Sequence, residues 1–391
     1  MTGASFIDLD FCQKPKTGQV VSGDVFMSRK IKEEGRVISV LSDGLGSGVK
    51  ASVLASLTAT MALRYTSAFV DVRKSAGTIM DTLPVCEVRK ISYSTFTIVD
   101  LDEVGRARAI EHGNPALVLI RGSVPVPFKR TEVKLDNWKD RTICYGEFDV
   151  QLGDRVVCFS DGISQSGLGR RGFPLGWGQD RVCAFLGDLV ARDREVSSRE
   201  LTRKLVAEAL ANDASIPRDD MTCAAVYYRH PRRLLLITGP PFLKEHDADL
   251  AARVLAFEGR KVICGGTTAT IVARQLNCPV RTLLNRLDPE IPPAAEMEGV
   301  DLVTEGTMTL ARVAEMLDRG AGEAWPDNPA RDLMNLMLQS DIVQFVVGTR
   351  INEAHQDPNV PVELDLRRNI VRRIISLLES KHLKECSVQF V

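Results

Sequence analysis

The stretch Arg36-Val37-Ile38-Ser39-Val40-Leu41-Ser42-Asp43-Gly44-Leu45-Gly46-Ser47-Gly48 runs from a β-branched apolar segment straight into an aspartate and three glycines. Its first six residues predict a strand over 36–41. The 3.6-residue apolar spacing from Lys50 to Phe69 predicts a helix immediately afterwards. Asp43 therefore closes a strand. Gly44 removes the side chain that would block close approach, so the Asp43 carboxylate and the Gly44 carbonyl turn toward the same ion. The same grammar recurs three times: Ser22-Gly23-Asp24 ends a strand predicted over 19–24, Ser160-Asp161-Gly162-Ile163 ends one over 155–160, and Arg218-Asp219-Asp220-Met221-Thr222 leads into one over 222–228.

Any one Asp-Gly pair is by itself a turn. Gly44-x-Gly46-x-Gly48 also suits a phosphate cradle, but it lacks the lysine-then-hydroxyl ending of a P-loop and the spacing of the dinucleotide fingerprint. Four acidic fragments, each beside a strand, point instead to one metal site. No histidine or cysteine ligand set accompanies them, which favours magnesium or manganese over zinc or copper.

Working outward, residues 93–99, 107–111 and 117–120 add strands, and Ser198 to Asn212 adds an amphipathic helix. Many strands with few helices describe an antiparallel α+β domain of sandwich type. The pattern changes at the polar segment Tyr228-Arg229-His230-Pro231-Arg232-Arg233, which divides the chain into residues 1–230 and 231–391. After it, strands over 234–238, 261–264, 301–304, 342–347 and 385–391 alternate with helices over 243–257, 268–276, 310–317, 330–339 and 366–379. Such alternation implies a smaller α/β domain with a parallel, Rossmann-like sheet. No internal repeat or low-complexity tract interrupts either part.

The second domain carries two candidate ligand loops, Gly265-Gly266-Thr267-Thr268 and Gly306-Thr307, each at a strand end before a helix. Free N–H groups there favour a small anion, a phosphorylated metabolite or nucleotide. The plainer alternative makes the glycines turn residues and Thr267 and Thr307 helix caps. Arg367, Arg368, Arg372 and Arg373 stand among acidic residues and form a solvated helix face.

Composition narrows the partners. Lysine and arginine number 50 against 51 acidic residues, so the chain has no bulk electrostatic footprint for nucleic acid or anionic membrane. Nine scattered cysteines without a Cys-x-x-Cys pair are expected to be reduced thiols. With no signal-like N-terminus and no apolar run of membrane-spanning length, the expectation is a soluble, cytoplasmic protein, with homodimerisation through the second domain an open alternative to ligand sensing.

In this order, Ser-Gly-Asp, Ser-Asp-Gly-x-Gly-x-Gly, Gly113-Asn114-Pro115, Ser-Asp-Gly-Ile and Asp-Asp-Met-Thr resemble the metal-dependent PPM (PP2C-type) serine/threonine phosphatases, most closely the bacterial SpoIIE/RsbU branch. The resemblance spans residues 5 to 228. It implies an α-β-β-α sandwich with two Mn2+ or Mg2+ ions in a cleft at one edge. It further implies that Asp43 bridges the ions with the Gly44 carbonyl on the second, that Asp161 and Asp219 hold the first, and that Asp24 lies near the second. Asp220 is either an accessory ligand or a residue that supports the ligands from behind. The implied activity is hydrolysis of phosphoserine or phosphothreonine on a bacterial regulatory protein of the anti-sigma-factor-antagonist type. Ser47 replaces the histidine this branch often has in its glycine loop, and no counterpart of the phosphate-gripping arginine is evident beyond Lys14 or Arg29. His112 is the one histidine near the motifs, either an acid or a polar strand-end residue. The competing reading is a phosphatase-fold scaffold or sensor whose second domain binds the phosphorylated ligand.

Overall fold

The structure, a computed structural model, describes residues 5–46, 48–68, 78–79, 94–135, 138–284, 286, 288–319, 325–350, 360–382 and 384–391. The chain divides into two compact units, Met1–His230 and Pro231–Val391.

The first unit holds eleven described strands: β1 (Phe6–Lys14), β2 (Asp24–Ile31), β3 (Arg36–Gly44), β4 (Ser94–Asp102), β5 (Arg106–His112), β6 (Val118–Arg121), β7 (Val124–Pro125), β8 (Arg130–Leu135), β9 (Trp138–Asp149), β10 (Arg155–Phe159) and β11 (Met221–Arg229). They form a five-stranded sheet, β1-β11-β10-β6-β7, and a six-stranded sheet, β2-β3-β4-β5-β9-β8. Helix α1 (Gly48–Ser67) follows β3, the single turn α2 (Asp161–Ser164) follows β10, and α3 (Gln179–Arg192) and α4 (Ser198–Asn212) lie between α2 and β11.

Strand alternation sorts these residues into layers. Leu41, Val99, Leu101 and Ala109 from the larger sheet pack with Leu119, Val156, Ala224 and Val226 from the smaller one, making the core between the sheets. The opposite faces are covered by helices. Ala59 and Ala62 of α1 meet Ile38, Val40, Phe96 and Ile98. Val182 and Leu186 of α3, with Leu201 and Leu205 of α4, meet Val157, Phe159, Cys223 and Ala225. Each fully buried Leu, Ile or Phe contributes roughly 1.5–3 kcal/mol. The result is the expected α-β-β-α sandwich. Because both faces of β3 are covered, nearly all of its residues are buried, which is why it reads in the sequence as an almost unbroken apolar run.

One local expectation needs correction. Residues 19–23 form bends and irregular backbone, and the strand begins at Asp24 and runs onward to Ile31. The reason is a competing partner: the Gly23 N–H, which a ladder would need, donates instead to Asp220 Oδ2 at 2.9 Å. Strands β1, β2, β8 and β9 and helix α3 carry mixed polar sequences without a clean period, and the sequence reading passes over them. By contrast α4 spans the residues expected of it, with Ser197 Oγ accepting from the Glu200 N–H at its start. Tyr93 and Phe69 lie outside the described residues.

In the second unit, β12 (Arg233–Thr238), β13 (Arg260–Cys264), β16 (Val300–Thr304), β17 (Ile342–Val347) and β18 (Glu385–Phe390) are parallel, in spatial order β16-β13-β12-β17-β18. A short antiparallel hairpin, β14 (Val280–Thr282) and β15 (Ala295–Met297), extends the β16 edge; strand-helix alternation does not foretell it. Helices α5 (Asp247–Ala256) and α6 (Gly266–Leu276) cover one face, and α7 (Thr307–Arg319), α8 (Pro329–Gln339) and α9 (Val360–His382) the other. Leu333 and Met337 of α8 are core residues, as the sequence suggests.

Among the described residues no helix is long and apolar enough to cross a membrane. The described cysteines are all free thiols.

Candidate metal centre

Asp24 and Asp43 are direct partners in the β2–β3 ladder, so their side chains leave the same face of the sheet at the same height. Asp24 is almost wholly buried, at 3% exposure. From the other sheet, the Thr222 hydroxyl donates to Asp24 Oδ2 at 2.7 Å, while Asp24 Oδ1 is buried with no hydrogen-bond partner. Thr222 is itself placed by Ser160, whose Oγ accepts the Thr222 N–H at 3.0 Å. Ser160 immediately precedes Asp161. The antiparallel pairing of β10 with β11 thus carries Asp161 and Asp219 to the end of the smaller sheet that faces Asp24 and Asp43.

Electrostatics report the same crowding. Burial, reinforced by the charges of Asp24, Asp161 and Asp219, pushes the Asp43 carboxyl up to about 9. Burial, with the charges of Asp220 and Asp161 adding to it, raises Asp24 to about 7 against the bonds from Thr222 and Ser160. Asp161 and Asp219 are also raised, each chiefly by burial. Carboxylates so crowded and desolvated need protons or a cation.

The glycines serve close approach. A Cβ on Gly44 would lie 2.2 Å from the Ala51 carbonyl oxygen, and one on Gly162 would lie 2.2 Å from that of Asp220. Helix α1 and the Asp219-Asp220 turn therefore press against the two acidic strand ends. Asp220 spends both carboxylate oxygens on backbone, accepting from the Lys16 N–H at 3.0 Å and the Gly23 N–H at 2.9 Å. Its geometry is that of a clamp on the Ser22-Gly23-Asp24 turn.

Among the other expected residues, Asn114 bridges β4 and β3, accepting from the Thr95 hydroxyl and donating to Thr97 Oγ1 at 3.1 Å and to the Leu41 carbonyl at 3.4 Å. The His112 ring packs against Phe96, its ladder partner, with centroids 5.5 Å apart. Lys14 pairs with Met221, next to the acidic turn. Arg29 lies five residues along β2 from Asp24, about 17 Å at the usual rise per residue. Lys16 is better placed than either: its backbone N–H donates to Asp220 Oδ1, and its charge acts on the Asp219 carboxyl against the larger upward push of burial. Ser47 lies outside the described residues. Gln13 and Gln165 go unmarked in the sequence: Gln13 Nε2 donates to the Asp24 carbonyl at 2.9 Å, and Gln165 Nε2 to Asp161 Oδ2 at 2.9 Å. Thr222 stands within a quoted motif, which was the available signal for its role.

The donor set fits a hard divalent cation: every candidate ligand is oxygen, one buried carboxylate oxygen is unsatisfied, and all four carboxyls are raised. Among the described residues no three acidic, histidine or cysteine side chains close into a cage.

In the second unit the two candidate loops are neighbours. The Gly265 N–H donates to the Thr304 carbonyl at 2.8 Å, and a Cβ on Gly306 would lie 3.5 Å from Gly265 Cα. Helix α6 starts without a side-chain cap. At α7 the Glu305 carboxylate accepts from the Met308 N–H at 3.0 Å, so a carboxylate already stands where an anion would dock. Thr268 is buried, whereas Gly266 and Thr267 are exposed.

No curated protein sequence matches the chain. Several solved structures are similar to it. The PP2C phosphatase domain with a fragment of the regulatory domain of the cell fate determinant SpoIIE from Bacillus subtilis is 18% identical, with a TM-score of 0.49 over 59% of this chain and 65% of that one. This chain thus covers just under two thirds of that structure. The RsbU and RsbW domains of a Mycobacterium tuberculosis protein are 18% identical, with a TM-score of 0.45 over 65% of this chain and 68% of that one. RsbX in complex with magnesium is 16% identical, with a TM-score of 0.40 over 57% of this chain and 95% of that one. The family model for stage II sporulation protein E matches residues 33–229, half of the chain, and takes in Asp43, Asp161, Asp219 and Asp220. The chain belongs to the SpoIIE family of PP2C-type phosphatase domains.

Proposed function

We propose that residues 1–230 hydrolyse a phosphoserine or phosphothreonine ester on a regulatory protein, of the anti-sigma-factor-antagonist type, with two Mn2+ or Mg2+ ions. The observation that carries this reading is the in-register pair Asp24 and Asp43 facing Asp161 and Asp219, with all four carboxyls pushed upward. When bound, the ions supply an activated water and screen the phosphate charge. Asp43 would serve both ions and the Gly44 carbonyl the second, Asp161 and Asp219 would hold the first, and Asp24 the second. Gln165 and Thr222 orient Asp161 and Asp24, while Asp220 holds the Gly23 turn. Lys16 is the cation we assign to attract the substrate phosphate. The free thiols and the lack of a membrane-crossing helix among the described residues are consistent with the cytoplasmic location we assign.

The test is manganese-dependent hydrolysis of p-nitrophenyl phosphate and of a phosphoserine peptide, with Asp43→Asn and Asp161→Ala. A loss of about 100-fold or more is expected, since removing even a group that orients a metal ligand costs about 10- to 100-fold. Activity untouched by both substitutions would sink the proposal.

A second reading concerns residues 231–391, to which we assign control of the first unit through a phosphorylated metabolite or nucleotide. It is supported by the adjacency of Gly265-Gly266-Thr267-Thr268 and Gly306-Thr307 at the carboxyl ends of parallel strands. Calorimetric titration with ATP and with inorganic phosphate tests it; absence of heat with both removes it.

A further inference from the structure

The segment from Gln165 to Gly178 leaves the Asp161 helix and is pinned at its base. The Gly178 N–H donates to the Ser164 carbonyl at 2.8 Å, Trp177 is buried, and a Cβ on Gly176 would lie 2.8 Å from Gln165 Cα. Between these anchors Leu175 is 87% exposed. Arg218 Nη1 donates to the Leu168 carbonyl at 2.8 Å, and Arg170 Nη2 donates to the Asp213 carbonyl at 2.9 Å. Those bonds bring the exposed Leu168 beside the turn that carries the exposed Ile216.

We propose that this segment and the Ile216–Arg218 turn form the docking surface for the phosphoprotein substrate, selecting a phosphorylated segment with apolar and acidic side chains beside the phosphoresidue. The inference rests on the phosphatase reading above. Three observations carry it. First, the surface is continuous with the metal centre, because Gln165 at its root donates to Asp161 and Arg218 precedes Asp219. Second, the exposed Leu168 and Ile216 lie on adjoining segments tied by the Arg218 bond, and exposed apolar side chains brought together in this way mark an interaction site. Pinning also lowers the ordering cost of binding. Third, the charge is predominantly basic: from Ser164 to Arg181 the three arginines Arg170, Arg171 and Arg181 stand against the single acidic residue Asp180, with Arg181 Nη1 donating to the Gly172 carbonyl. The nearby Asp213 is buried, its carboxylate occupied by the Gly167 and Arg218 N–H groups.

The test compares two fluorescent phosphoserine peptides of equal length, one flanked by Leu and Glu and one by Ser and Lys, with p-nitrophenyl phosphate as a substrate too small to reach the surface. In the full chain with Mn2+, anisotropy should show the Leu/Glu peptide binding at least about tenfold more tightly. Leu175→Asp and Arg171→Glu should each weaken it about three- to tenfold, and Arg171→Glu should improve binding of the Lys peptide. Turnover of p-nitrophenyl phosphate should stay within about twofold, which also verifies that the variants fold. Equal binding of the two peptides, or indifference of both variants, overturns the docking inference. If no phosphoester is hydrolysed, the phosphatase reading falls, while the anisotropy ranking still decides whether the surface selects acidic and apolar segments.

Discussion

Thr222 on the smaller sheet donates its hydroxyl to Asp24 on the larger one at 2.7 Å, fastening the two sheets together at the metal centre. The bond joins fold to function: it orients one carboxylate oxygen and leaves the other, Oδ1, buried without a partner. Thr222→Val keeps the shape and removes the donor. The expected cost is about 1–3 kcal/mol, the usual penalty for an orphaned buried acceptor, with weaker Mn2+ affinity. Thr222→Ser should restore most of both. Urea denaturation with and without Mn2+ measures the two effects, and a Thr222→Val protein unchanged in both would contradict the assignment.

Crowding the carboxylates should make the metal-free protein less stable than it need be. Asp43→Asn relieves repulsion with Asp24, Asp161 and Asp219 and removes a strongly desolvated ionisable group. Without metal, the variant should melt a few degrees higher, about 2–4 °C per kcal/mol for a domain of this size. It should lose the rise that Mn2+ gives the unsubstituted protein. A variant that melts lower without metal would mean that the cluster is not strained.

The same crowding sets a pH dependence with a definite sign. Folding raises Asp24 to about 7 and Asp43 to about 9 from 3.8. Between these limits the folded chain holds protons that the unfolded chain has released. Metal-free stability from these groups is therefore greatest near pH 4, falls as pH rises, and is fully lost above about 9. Mn2+ competes with those protons, so its stabilising effect should grow from pH 5.5 to pH 8.5. Thermal melts at three pH values, with and without Mn2+, check this; a metal effect that is flat or shrinks with pH would exclude these two carboxylates as ligands.

The sequence discloses the parts of the molecule whose residues face one environment along their length. Strand β3 is covered on both sides and reads as a plain apolar run, and the five parallel strands of the second unit alternate with helices just as their sequence does. Strands β1 and β2 are partly exposed and mixed in polarity; β2 pairs with the neighbouring β3, but β1 owes its place to β11, more than 200 residues away. No local window carries that information. At the site, the four aspartates are legible because each stands beside a turn-forming glycine or at a strand boundary. Gln13 and Gln165 are not, because a glutamine acquires meaning only from the carbonyl or carboxylate that folding sets in front of it.

Asp220 is where the motif leaves two readings. Its position in Asp219-Asp220 suits an accessory ligand or a supporting residue, and the residue, 4% exposed, gives its carboxylate to two backbone N–H groups, those of Lys16 and Gly23. If it is a clamp, Asp220→Ala leaves the buried Gly23 N–H without an acceptor and frees the turn that carries Asp24. The cost should be about 2–4 kcal/mol, two buried bonds lost at roughly 1–2 kcal/mol each. Asp220→Asn keeps one acceptor oxygen and should recover about half of that. The decisive readout is metal affinity at a pH where the protein is stable. A clamp predicts that Asp220→Asn, which keeps an acceptor, costs at most about 10- to 100-fold in Mn2+ affinity, the usual range for groups that orient ligands, whereas loss of a direct ligand costs more than that. An Asp220→Asn protein that folds normally but loses Mn2+ would put Asp220 among the ligands and leave the Gly23 turn to be held by other contacts.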